Sequence, residues 1–228
     1  MLDDIGERPS DATKRVADES WKRAIDDAVY TLMSYKVPDL DLEKYTAIWK
    51  PENNKQFKNA VAASIAIFGN NCSLNWIDTS EITDMSNLFS YSRFNGDVSK
   101  WNTSKVRLMK NMFMNAQKFN GDISKWDVSS VYDMEGMFFC ATQFKDCSLN
   151  DWDVSYVVNM NSMFYECPYN KPLDKWDVSS VQNMCDMFKY SEFNHDISMW
   201  NVSSVNLNWG IFASCNIKNE YRPKFEIN

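Results

Sequence analysis

The chain has 228 residues, 44% hydrophobic and 24% charged, with a formal net charge of −7 and a pI of about 4.8. This composition fits a soluble domain with a sizeable core and excludes a disordered chain. The charge excludes nucleic acid as a partner, because no basic stripe is present to displace counterions from phosphate, and no apolar run is long enough to insert into a membrane.

The first residues, MLDDIGERPSD, are acidic and polar. They lack the basic start and apolar stretch of a secretory leader. The expected location is therefore a virion or the cytoplasm, with the cell surface reached by a non-classical route as the alternative. Residues 1–50 are expected to form a helical N-terminal extension. Within it, Val16, Trp21, Ile25, Ala28, Val29 and Leu32 share one broad face of a helix over 10–33, which Pro38 ends. So apolar a face needs a partner surface, either the rest of this chain or another protein. Trp21, Ile25 and Val29 are the candidate docking residues, an aromatic flanked by aliphatics.

Residues 51–75 read as a capping helix. Pro51 suits a first helical position, and Phe57, Val61, Ile65 and Phe68 mark one face. From about residue 76 the sequence repeats itself. WNTSKV (101–106), WDVSSV (126–131), WDVSYV (152–157), WDVSSV (176–181) and WNVSSV (200–205) are one word, with DTSEI (78–82) an altered first copy. Nine residues after each serine (Ser80, Ser104, Ser129, Ser155, Ser179 and Ser203) comes a phenylalanine: Phe89, Phe113, Phe138, Phe164, Phe188 or Phe212. Six copies of roughly 24 residues therefore span 76–215, and 216–228 reads as a C-terminal cap, with Ile217, Tyr221 and Phe225 at four-residue steps.

Within the third copy, Val131, Met134, Met137, Phe138 and Ala141 fit one face of a short helix, with Ser129 and Asp127 at its start. FNGDISKW (119–126) reads as a turn and a short strand. The expected fold is thus an α/β repeat solenoid, with a short parallel strand and a short helix per turn.

The repeat resembles the BspA-type leucine-rich-repeat family, most closely at FNGDISKWDVSSVYDMEGMF (119–138), over residues 71–215. The resemblance implies a leucine-rich-repeat-like solenoid and a surface-display or adhesin role. Similar repeats also turn up in phage and protist proteins.

No catalytic constellation accompanies the repeats. His195, the sole histidine, replaces the glycine of the FNGD turn and is expected at an exposed loop. Asp97, Asp122 and Asp196 recur in that turn, where an Asp usually binds backbone N–H groups; calcium loops bring several oxygen ligands per turn. Cys72, Cys140, Cys147, Cys167, Cys185 and Cys215 match no metal spacing and read as reduced, small side chains.

The tryptophan column Trp101, Trp126, Trp152, Trp176 and Trp200 has two readings. Strict strand alternation would make it an exposed partner-binding ladder. A bend after Lys125 would return the rings to the core, which their size favours. The expected function is a non-enzymatic structural or protein-binding solenoid without cofactor, metal or small-molecule substrate. It would be docked through its N-terminal helix into a larger assembly such as a phage virion. The alternatives are a bacterial surface adhesin and an intracellular protein-interaction module.

Overall fold

The computed structural model describes residues 49–225. The expected extension helix, with its docking candidates, lies outside them. The first element is α1, Asn54–Phe68. Asn53 caps it by accepting the Gln56 N–H on its side-chain oxygen, and Glu52 and Gln56 bond reciprocally across the first turn. Phe57 and Val61 are buried against the first copy, and Ile65 packs at their edge. Phe57 meets Trp101 edge to face at 5.3 Å. Lys58 reaches over the first copy to Asp84 and to the Ser86 carbonyl.

The six copies that follow are not strand-and-helix units. Among the described residues α1 is the one α-helix, Asn219–Tyr221 forms a single 3₁₀ turn, and pairing between copies is confined to isolated parallel bridges. The bridges run Asp84 to Leu108 to Asp133 to Asn159 to Asn183 to Leu207. The expected α/β solenoid, with a strand and a helix in every turn, is therefore overturned.

The reason lies in the backbone. Each copy holds two residues at positive φ, four apart: Asn87 and Tyr91, Asn111 and Asn115, Gly136 and Cys140, Ser162 and Glu166, Asp186 and Tyr190, Gly210 and Ser214. Left-handed residues at that spacing are incompatible with either a helix or a strand. The chain instead makes overlapping three-residue turns. In the second copy Met112 N–H donates to Met109, Met114 to Asn111 and Ala116 to Phe113. The alternate N–H groups point across to the third copy: Met109 to Asp133, Asn111 to Glu135, Phe113 to Met137 and Asn115 to Phe139, at 2.7–3.0 Å. All five junctions repeat this set of four forward bonds, with one or two N–H groups pointing back to a single carbonyl, as from Tyr132 to Arg107 and from Val158 and Asn159 to Tyr132. Each copy is thus a bend ribbon with its N–H row on one edge and its carbonyl row on the other.

The residues expected on a helix face are nonetheless the core. Val131, Met134, Met137, Phe138 and Ala141 are all fully buried, as are most of their counterparts. Rings of one column stack through the molecule: Phe113 on Phe138 at 5.7 Å, Phe138 on Phe164 at 5.6 Å and Phe164 on Phe188 at 5.5 Å.

The tryptophans belong to the same core, and an exposed ladder is excluded: the five rings are between 3% and 6% exposed. A turn closes just before each, with Trp126 N–H donating to Ile123 and the others following suit, so both side chains face inward. Each indole N–H then donates to a carbonyl of the preceding copy, Trp126 to Val98 at 3.1 Å and Trp176 to Leu149 at 2.8 Å. Two residues after Trp101, Thr103 donates its hydroxyl to the Asp127 carbonyl of the following copy, as Thr79 of the first copy does to the Asn102 carbonyl, where later copies place valine. Gly96 is required by close approach: a Cβ there would lie 1.9 Å from the Cys72 carbonyl.

Candidate interaction surface

The last two positions of each ribbon form two adjacent variable columns, half-buried to exposed. One column reads Ser90, Met114, Phe139, Tyr165, Lys189 and Ala213; the next reads Tyr91, Asn115, Cys140, Glu166, Tyr190 and Ser214. Their backbone is fixed, since the second column supplies the final forward hydrogen bond of each junction and holds positive φ throughout. Their side chains are free to differ because they point away from the core, whose columns hardly change.

Midway along this face the residues form an aromatic cluster. Phe139 and Tyr165 stack at 4.5 Å with planes 10° apart, and Tyr190 meets Tyr165 edge to face at 5.6 Å. The Lys189 ammonium lies 5.8 Å from the centres of both tyrosine rings and is ion-paired to Asp186 at 3.1 Å. That pairing raises the Lys189 pKa, so the cation is permanent at neutral pH. Tyr190 is 51% exposed, a large ring with half its surface in water. Beside it Cys140 donates its thiol to Glu166 at 3.3 Å. Burial first, then that carboxylate, push the Cys140 pKa up to about 12. The thiol is therefore protonated and a poor nucleophile. Chemically the cluster can offer stacking, cation–π and apolar contact.

The residues singled out from sequence fall elsewhere. The tryptophan column is core. His195 is half-buried, its Nε2 3.1 Å from the Asn170 carbonyl oxygen. Asp97, Asp122 and Asp196 each accept the N–H of the serine two residues on, at 2.9 Å, as turn-forming carboxylates do. That bond is the main reason that Asp122 and Asp196 titrate below the usual carboxylate range. The six cysteines are free thiols, and burial pushes Cys147 to about 11 and Cys167 to about 12. Trp21, Ile25 and Val29 lie outside the described residues. Phe139, Tyr165, Lys189 and Tyr190 were not anticipated. The signal for them was present as two adjacent columns in which residue type changes while the flanking columns stay constant.

No curated protein and no solved structure matches the chain. One family does, described as "Mycoplasma protein of unknown function, DUF285", over residues 53–168 and again over 146–227. The two overlapping matches begin at the N-cap of α1 and run through every copy of the stack, and the chain belongs to that family.

Proposed function

We propose that this chain is a non-enzymatic, protein-binding repeat protein of the kind typified by the BspA-type surface repeats it resembles, and that a protein partner sits on the Phe139, Tyr165 and Tyr190 surface. The observation that carries this reading is the contrast between columns. A rigid backbone and a constant core lie beneath two half-buried to exposed columns that vary from copy to copy, and repeat proteins use such faces for recognition. Aromatic rings beside a cation are also the composition that anchors protein interfaces. In this reading residues 1–45 hold the chain in a larger assembly, with Trp21, Ile25 and Val29 as the contacts.

A photo-crosslinking side chain placed at Tyr190 should trap a partner protein, and one placed at Lys125, on the loop side, should not. The adduct should be lost in Phe139→Ala/Tyr165→Ala protein that still melts cooperatively. Equal labelling from both positions would count against the surface. Deleting residues 1–45 should release the chain from the assembly with which it co-sediments and leave its melt cooperative; retention of the truncated chain contradicts the attachment.

A further inference from the structure

The forward hydrogen bonds run out at the sixth copy. That copy keeps the ribbon conformation: Gly210 and Ser214 are at positive φ, and the turns closing from Ala213 to Gly210 and from Cys215 to Phe212 are intact. By equivalence with Met184, Asp186, Phe188 and Tyr190, the N–H groups of Asn208, Gly210, Phe212 and Ser214 point out of the stack. Among the described residues none of the four donates to a carbonyl. The edge opens on a groove of about 520 Å³ bounded by Arg222, Pro223 and Phe225. Arg222 donates from Nη2 to the Ile217 carbonyl and stands 5.3 Å from the Phe212 ring centre, while its buried Nε has no partner. Leu207 and Trp209, 50% and 62% exposed, flank the row.

What can occupy this edge is restricted by hydrogen-bond polarity. It offers only donors. A second copy docking by the same edge would set donor against donor. A second copy stacking head to tail would need the carbonyl row of its first ribbon, which lies under α1, with Ser86 O taken by Lys58. An ordinary strand offers alternating donors and acceptors and would satisfy only part of the row. Carboxylates are acceptors only. Forward-pointing peptide units also add their dipoles along the stack, which makes this end positive, and rows of outward N–H groups form anion-binding concavities. Residues 217–228 carry Lys218, Arg222 and Lys224 against Glu220 and Glu226, a net positive segment on a chain of net charge −7.

We propose that the open C-terminal edge docks an extended acidic peptide of a partner protein, with Asp or Glu at alternate positions. Alternate side chains on an extended peptide lie on one face at intervals of about 7 Å, so its carboxylates face the edge as a row of acceptors. The proposal rests on the protein-binding reading above and adds a second site and the chemistry of its ligand.

The test uses the full chain and a fluorescein-labelled nine-residue peptide alternating Asp with Thr, followed by anisotropy. Saturable binding is expected, weakening at least tenfold between 50 and 200 mM salt. It should weaken at least tenfold when Asn replaces Asp in the peptide and at least tenfold in Arg222→Glu. Lys224→Glu, at an exposed position, should weaken it about threefold and guards against misfolding of the Arg222 variant. Tyr165→Ala/Tyr190→Ala should leave peptide affinity unchanged. Absence of binding, equal binding of the Asn peptide, equal binding of single-stranded DNA, or insensitivity to both charge reversals would overturn the edge site. Loss of peptide binding in the tyrosine variant would also overturn it, by moving the peptide to the aromatic face. Failure of the Tyr190 crosslink with the peptide result intact would overturn the aromatic face alone.

Discussion

The third copy and the sixth share a backbone and differ in nearly everything else. In the third, Met134 and Phe138 are fully buried; in the sixth, Asn208 is exposed and Phe212 half-buried. Both nonetheless hold two left-handed residues at the same positions, and both take four hydrogen bonds from the copy before. The ribbon conformation is thus imposed from one side by a neighbour's N–H row, while burial needs neighbours on both sides. Local conformation and core stability are separable in this fold.

The largest expected difference between the copies lies in the phenylalanine column. Phe138→Ala should cost about 3–5 kcal/mol, the usual range for deleting a buried aromatic, and Phe212→Ala less than half of that. Chemical denaturation of both variants measures the gap, and equal losses would mean that the sixth copy is as well packed as the third. Next comes the tryptophan column, whose bonds point backwards. Trp126→Phe and Trp200→Phe each strand a buried carbonyl, Val98 and Leu173 respectively, and should each cost about 1–3 kcal/mol. A cheap Trp200→Phe would show that the sixth copy is loose on its inner side as well.

A smaller effect attends the threonines, which bond forward. Thr103→Val removes the hydroxyl bond to Asp127 O and should cost about 1 kcal/mol. Val202→Thr, in the sixth copy, should be near neutral, since its hydroxyl would face the open end. The smallest is the response to acid. Asp78, Asp122 and Asp196 are held below the ordinary carboxylate range chiefly by the serine N–H two residues on, and Asp177 chiefly by the serine hydroxyl. Because their folded pKa values are depressed, the stability they contribute is complete above the unfolded value of about 3.9 and is lost as pH falls through the folded values. The melting temperature should therefore be flat in this respect above pH 5 and fall below about pH 4. Asp177→Asn should blunt that fall, since Asn102 and Asn201, at the same position in the second and sixth copies, accept the equivalent serine N–H without a titrating group.

The core was readable from sequence and the conformation that delivers it was not. Val131, Met134 and Met137 at three-residue steps match a helix face closely enough to suggest one, yet the same spacing suits turns that close every three residues. The discriminating column was Asn87, Asn111, Gly136, Ser162, Asp186 and Gly210, which favours residues that tolerate the left-handed region. At Gly136 the need is sharpest, since a Cβ would sit 2.2 Å from Asn111 Oδ1. Strand alternation failed for Ile123 and Trp126 because a turn lies between them. The interaction surface was hidden for a different reason: attention to what recurs passes over the two columns where variation is the signal.

The unlike edges of the ribbon also give the fold a direction of growth. A finished copy exposes donors toward its successor, and α1 closes the other side from the start. The forward bonds of every junction span 23 to 25 residues of chain, as from Met85 to Leu108 and from Met134 to Asn159, so each new copy finds its template immediately behind it. A nucleus of α1 and the first copy can be extended one turn at a time, in the order in which a ribosome delivers the chain.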